Sequence, residues 1–111
     1  SFIDKSVNYK DGLLAMPHSV VNKKTVIGSN CYLNVNSVID HECEIEDGVH
    51  VMGSAYIAGR VKIKKYASIG ANATILPDLT IGKNSIVGAG AVVNKNLPDN
   101  VVAKGIPAKW S

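Results

Sequence analysis

Ile69-Gly70-Ala71-Asn72-Ala73-Thr74 and, two units on, Ile81-Gly82-Lys83-Asn84-Ser85-Ile86 decide the fold. Each begins on an aliphatic residue, follows it with Gly, places Asn fourth and a small residue fifth. Sampling outward at the same phase gives Ile27, Leu33, Ile39, Ile45, Val51, Ile57, Ile63, Ile69, Ile75, Ile81, Val87 and Val93, an unbroken aliphatic run. If about half of all positions were apolar, such a run would arise about once in several thousand trials. The companion four residues later is small or aliphatic throughout, from Cys31, Ser37 and Cys43 to Ala91 and Leu97. Backward the phase continues through Val21, Ala15, Tyr9 and Ile3, with weaker companions, as terminal repeats show. A fixed period of six is the mark of a stacked repeat, not of a helix or a hairpin sheet.

Physically the unit is a short strand plus a turn, with the aliphatic residue and its companion turned inward. Gly28, Gly70, Gly82 and Gly88 follow the aliphatic residue where the chain must bend, and Asn30, Asn72 and Asn84 take turn positions. Both residue types tolerate left-handed backbone. The chain has 111 residues, enough for one domain with a core. Its net charge of +3 is spread over scattered lysines, without the dense basic patch and interleaved aromatics of a nucleic-acid surface. No apolar run approaches a membrane span and no secretory h-region is present. Cys31 and Cys43 are expected as buried free thiols, which suits a reducing, cytoplasmic setting. The first residue is Ser1 rather than Met, so processing or excision from something longer is expected.

The repeat closely resembles that of the hexapeptide β-helix family, in which three units close one coil. The resemblance covers Ile3 to about Leu97 and implies an all-β, left-handed parallel β-helix, an exception to right-handed crossovers. Sixteen units then predict about five coils, a prism roughly 25 Å long at the spacing of neighbouring strands. Residues 1–98 are expected to form the β-helix acyltransferase domain and 99–111 a C-terminal tail, whose Gly105-Ile106-Pro107-Ala108-Lys109 is similar to the segment by which hexapeptide acyltransferases leave the solenoid.

With eighteen residues per coil, His41 shares a column with Lys5, Lys23, Gly59, Pro77 and Lys95. Gly59 beside it leaves that side free of a side chain. Gly53, Ala71, Ala89 and, if the tail keeps step, Pro107 form a stripe of small residues up one corner, a groove where a linear ligand can meet backbone groups. The plainer reading of the stripe is tight turns or subunit packing. His50 lies half a coil from His41, so the two sit on different sides of one prism and meet only across a subunit boundary.

Chemistry centres on Asp40-His41-Glu42-Cys43. An outward imidazole in a turn is suited to take a proton at physiological pH, and an adjacent carboxylate favours its imidazolium. The commoner role of such a histidine is a polar surface residue. The motif, with Gly48-Val49-His50-Val51 after it, looks like that of the bacillosamine-pathway amino-sugar N-acetyltransferases and the sialic acid O-acetyltransferases. That resemblance implies His41 as general base, Glu42 as the residue raising its basicity, His50 as a contact to acetyl-CoA, and Ala71 and Ala89 as backbone contacts to the same co-substrate. It also implies a homotrimer with sites between subunits.

The expected reaction is direct transfer of acetyl from acetyl-CoA to the amine of a nucleotide-linked amino sugar. The Gly59 N–H is a candidate oxyanion donor and Lys95, Lys104 or Lys109 candidate phosphate partners. No metal is invoked. A sugar or sialic acid O-acetyltransferase and a non-catalytic scaffold subunit are the alternatives. Relatives of this kind carry an N-terminal α/β domain that helps hold the acceptor, whereas this sequence starts at the solenoid. A γ-type carbonic anhydrase needs three converging histidines, and the spacings of His18, His41 and His50 fit neither stacked rungs nor a short pair.

Overall fold

The computed structural model describes residues Ser1–Ser111 and contains no helix. Every strand is two residues long, and each pairs in parallel with strands one coil away. Three faces result. The first stacks Phe2–Ile3, Val20–Val21, Val38–Ile39, Tyr56–Ile57, Thr74–Ile75 and Val92–Val93. The second stacks Asn8–Tyr9, Val26–Ile27, Glu44–Ile45, Lys62–Ile63 and Thr80–Ile81. The third stacks Leu14–Ala15, Tyr32–Leu33, His50–Val51, Ser68–Ile69, Ile86–Val87 and Val102–Ala103. Within the regular coils the register is eighteen residues, as in Tyr56↔Thr74 and Lys62↔Thr80. The molecule is a left-handed parallel β-helix of about six turns. It measures 39 × 21 × 21 Å. The tail adds one strand, Val102–Ala103, as the sixth rung of the third face. The length exceeds the expected value of about 25 Å because rung spacing alone omits the thickness of the ends.

Burial explains the period. Val21, Ile27, Leu33, Ile39, Val51, Ile57, Ile63, Ile69, Ile75, Ile81 and Val87 are fully buried in a single column. Each removes an aliphatic side chain from water, worth about 1.5–3 kcal/mol. Companions line the three corners, where small or aliphatic side chains such as Ala67, Ala73, Val49 and Val61 are buried. The companions Ser19, Thr25, Ser37 and Ser85 are buried and bond to backbone carbonyls of Met16, Asp40, Asn34 and Pro98. Tyr9 departs from the pattern: it holds the aliphatic phase but is 53% exposed. It stands on the first coil, with no rung beyond it to close the column.

Left-handed backbone recurs every six residues, three places after the aliphatic residue: Asn30, Asn36, Glu42, Ser54, Arg60, Tyr66, Asn72, Asp78 and Asn84 all have φ between +57° and +66°. Asn30, Asn72 and Asn84 therefore sit where expected. Gly28, Gly70, Gly82 and Gly88 do not: none has positive φ. Their requirement is space. A Cβ on Gly70 would stand 2.6 Å from the Ala89 nitrogen of the next coil, and one on Gly82 would collide with Pro98.

The tail continues the stack out of step. Ile86 pairs with Val102, sixteen residues away instead of eighteen. Side chains bridge the shortened turn, Asn96 Oδ1 accepting from the Thr80 N–H and Asp99 Oδ1 from the Lys83 N–H. Pro107 consequently does not extend the column of Gly53, Ala71 and Ala89. The tail then crosses the last rung, where the Ala108 N–H donates to the Val92 carbonyl, and Ala103 and Ala108 are buried.

Candidate functional site

Asp40-His41-Glu42-Cys43 forms the corner between the first and second faces. Its backbone is fixed on both sides. The Glu42 N–H donates to the Lys23 carbonyl of the coil before, and the Arg60 N–H to the His41 carbonyl from the coil after. Glu42 has φ +58°, a left-handed turn residue whose side chain projects beside that of His41. The result is a contact of 2.9 Å between His41 Nδ1 and Glu42 Oε1. An ionised carboxylate only accepts, so neutral His41 carries its proton on Nδ1 and leaves Nε2 with the lone pair. The hydrogen bond to His41 holds the Glu42 carboxyl below the usual carboxylate range, against a small opposing effect of burial.

Gly59 lies against the ring. A Cβ there would stand 2.6 Å from His41 Nε2. The glycine thus makes room for the imidazole itself; the space is occupied by the ring rather than open beside it. The Gly59 N–H makes no hydrogen bond within the chain, although its carbonyl accepts from Asp78.

Behind the imidazole is a network that the sequence reading missed. Asp40 Oδ1 accepts from the His41 N–H at 2.8 Å and from Asn22 Nδ2 at 3.1 Å, while Oδ2 accepts from the Tyr56 hydroxyl at 2.6 Å. The Tyr56 bond is the chief reason the Asp40 carboxyl titrates below its ordinary value, and the same bond pushes the Tyr56 phenol up. Asn22 was accessible to sequence reasoning, because it occupies the Asp40 column one coil earlier. Tyr56 was not, because it reaches the corner from a strand.

Cys43 is fully buried with its thiol directed at the Ala58 carbonyl. Burial pushes that thiol up to about 11, so it is not a nucleophile at neutral pH. Cys31 is also free and buried.

His50 lies on the third face, its ring edge-on to Tyr32 with centroids 5.8 Å apart. Ala71 and Ala89 lie on the corner between the third and first faces. One chain therefore brings together His41, Glu42 and Gly59, but neither His50 nor the two alanines join them. His18 lies on that same corner between the third and first faces, away from both His41 and His50, so the three histidines do not converge. At the C-terminal end Lys95, Lys109 and Trp110 line a hollow of about 250 Å³.

Comparison with known proteins gives this geometry a context. The bacterial transferase hexapeptide (six repeats) model matches residues 42–77 and 60–95. The galactoside O-acetyltransferase of Lactococcus lactis is 34% identical over 77% of this chain and 51% of its own length. Among solved structures, a histidine-to-alanine variant of the GDP-perosamine N-acetyltransferase of Caulobacter crescentus, in complex with CoA and GDP-perosamine, superposes with a TM-score of 0.98. It is 34% identical, with 99% of this chain and 52% of that one covered. The acetyltransferase domain of PglB from Neisseria gonorrhoeae, in complex with acetyl coenzyme A, also gives 0.98, at 28% identity over 99% of this chain and 54% of that one. This chain spans about half the length of the curated relatives it matches. A six-residue period that closes into three parallel faces, matched from Glu42 to Lys95, places the chain in the hexapeptide-repeat transferase family.

Proposed function

We propose that this chain is the catalytic β-helix of an acetyl-CoA-dependent acetyltransferase acting on the amine of an amino sugar, nucleotide-linked in the leading case. The observation that carries the reading is the His41–Glu42 contact of 2.9 Å, which frees Nε2 as a base. Solved relatives bound to CoA and GDP-perosamine, and to acetyl coenzyme A, support the co-substrate and the acceptor class.

In this mechanism His41 Nε2 takes a proton from the acceptor amine as its nitrogen attacks the thioester carbonyl. Glu42 stabilises the imidazolium that forms. The unpaired Gly59 N–H is the oxyanion donor. When the tetrahedral intermediate collapses, the C–S bond breaks and His41 returns the proton to the leaving CoA sulfur. Cys43, buried and protonated, takes no part.

His50, Ala71 and Ala89 contact acetyl-CoA in this reading, and a neighbouring copy supplies them. Two observations support a homotrimer with clefts between subunits: the two groups of residues sit on different sides of one prism, and the faces differ. Phe2 and Tyr56 on the first face and Leu14, Ile86 and Val102 on the third are exposed apolar side chains. The second face exposes Tyr9 and Val26 but also turns Asn8, Glu44, Lys62 and Thr80 outward, which makes it the most polar of the three. Lys95 and Lys109, beside Trp110, are suited to pair with CoA phosphates.

Sugar O-acetylation is the second reading, favoured by the identity to a galactoside O-acetyltransferase. The deciding experiment measures free-thiol release from acetyl-CoA with a panel of amino sugars and their hydroxyl counterparts, free and nucleotide-linked. Acetylation confined to hydroxyl acceptors would replace the leading reading with the second. Absence of thiol release with every acceptor in the panel would end both.

A further inference from the structure

We propose that Asp78 is a positioning residue for the His41–Glu42 pair, holding the Arg60 guanidinium away from the Glu42 carboxylate. The corner that carries Glu42 stacks Lys24, Glu42, Arg60 and Asp78 on successive coils, all with left-handed φ between +58° and +66°. Their backbones are locked in register by the Glu42 N–H to Lys23 carbonyl, Arg60 N–H to His41 carbonyl and Asp78 N–H to Gly59 carbonyl bonds. Four charged side chains therefore leave one edge in parallel, alternating in sign, at roughly the 4.8 Å strand spacing.

Arg60 is the member with a choice. Its carbon stem reaches one rung either way, and a carboxylate stands on each side. It turns to Asp78, with Nε to Oδ1 at 2.6 Å and Nη2 to Oδ2 at 3.2 Å, the two-pronged geometry that binds carboxylates best. Glu42 makes no ion pair with Arg60 or Lys24; its partner is His41 Nδ1. The surrounding groups are few: Lys24 and Arg60 on either side of Glu42, Asp78 beyond Arg60, and Asp40 with Tyr56 behind the imidazole. Without the Asp78 charge, the remaining anion within reach of Arg60 is Glu42. A guanidinium bound through two N–H groups outcompetes one imidazole N–H for the same oxygens. His41 then loses the acceptor that keeps its proton on Nδ1, and the alternative tautomer puts that proton on Nε2, where it blocks the base.

The proposal deepens the reading of His41 as base and rests on it for its effect on turnover. Its direct readout does not. The ring-nitrogen shifts of His41 in ¹⁵N-labelled protein, recorded where the imidazole is neutral, report the tautomer, with His18 and His50 as internal controls. In the wild type Nδ1 carries the proton. Asp78→Asn, a change that left-handed backbone accepts, moves the major population to the Nε2–H form. The Asp78→Asn/Arg60→Gln double variant returns to the wild-type pattern, and Arg60→Gln alone keeps it. In thiol release, Asp78→Asn lowers kcat several-fold with KM unchanged, and the double variant recovers. An Asp78→Asn spectrum identical to wild type would overturn the proposal. So would a double variant that stays like Asp78→Asn, which would assign the effect to the lost charge itself. If the wild type acetylates nothing, the catalytic reading fails while the tautomer series still tests this one.

Discussion

A histidine on a protein surface is a weak base with a free choice of tautomer. Here Glu42 removes the choice and Asp40 fixes the backbone that carries the ring. His41→Asn is expected to lower kcat by about 10²–10⁴, the range for losing a general base, while circular dichroism and thermal unfolding stay unchanged. Near-normal thiol release by that variant would remove His41 from the chemistry. Tyr56→Phe takes away the main donor to Asp40 and lets its carboxyl rise toward the ordinary value. The sign of the stability effect follows. A carboxyl depressed in the folded state stabilises above its unfolded value, and that contribution is lost as pH falls through the folded one. The difference in Tm between wild type and Tyr56→Phe is therefore greatest near neutrality and closes under acid conditions, a comparison open to calorimetry across pH. Cys43 runs the other way. Its thiol is raised to about 11, so stability is full below the unfolded thiol's value and falls as pH climbs toward 11. A thiol reagent at pH 7 should label neither cysteine until the protein is unfolded, because both are buried.

At the scale of the rung, two demands on glycine separate. Gly59 and Gly70 are not left-handed; each is small because something lies against it. What lies there differs. Gly59→Ala meets the tip of a side chain, His41 Nε2, which can swing out. The expected result is a large loss of kcat with little change in Tm. Gly70→Ala meets backbone atoms of Gly88 and Ala89, which cannot move without parting two coils. It should cost about 1–3 kcal/mol, as overpacking does, with coil separation visible as faster amide exchange around Gly88. Comparable urea midpoints for the two variants would contradict this distinction. Each rung also depends on its aliphatic residue: Ile63→Ala, in the middle of the column, should cost about 2–5 kcal/mol.

Over the whole molecule, stability is a sum of rung-on-rung contacts, and function depends on what approaches the faces from outside. Acetyl-CoA at a hundred times its Kd should raise stability by about 2.7 kcal/mol, read as a thermal shift, and His50→Ala should reduce that shift. Sedimentation should give a trimer, and charged substitution of Ile86, exposed on the third face, should dissociate it and abolish thiol release together. Much of this was written in the chain. A period of six set the repeating unit and the buried aliphatic positions, because each unit is local and repeats the same packing problem; the resemblance to the hexapeptide β-helix family implied three units per coil and their left-handed parallel stacking. With that coil of eighteen residues, the columns placed Gly59 beside His41 and parted His41 from His50. Other features were decided only in three dimensions. At the tail's two-residue slip the Asn96 side chain stands in for a backbone carbonyl, accepting from the Thr80 N–H, while Asp99 accepts from the Lys83 N–H as Asp47 does from Ser29. Tyr56 reaches Asp40, and Arg60 chooses Asp78 over Glu42, by side-chain reach between rungs. Periodicity fixes where a Cα lies on the prism; it does not fix which way a long side chain turns once two partners are within its span.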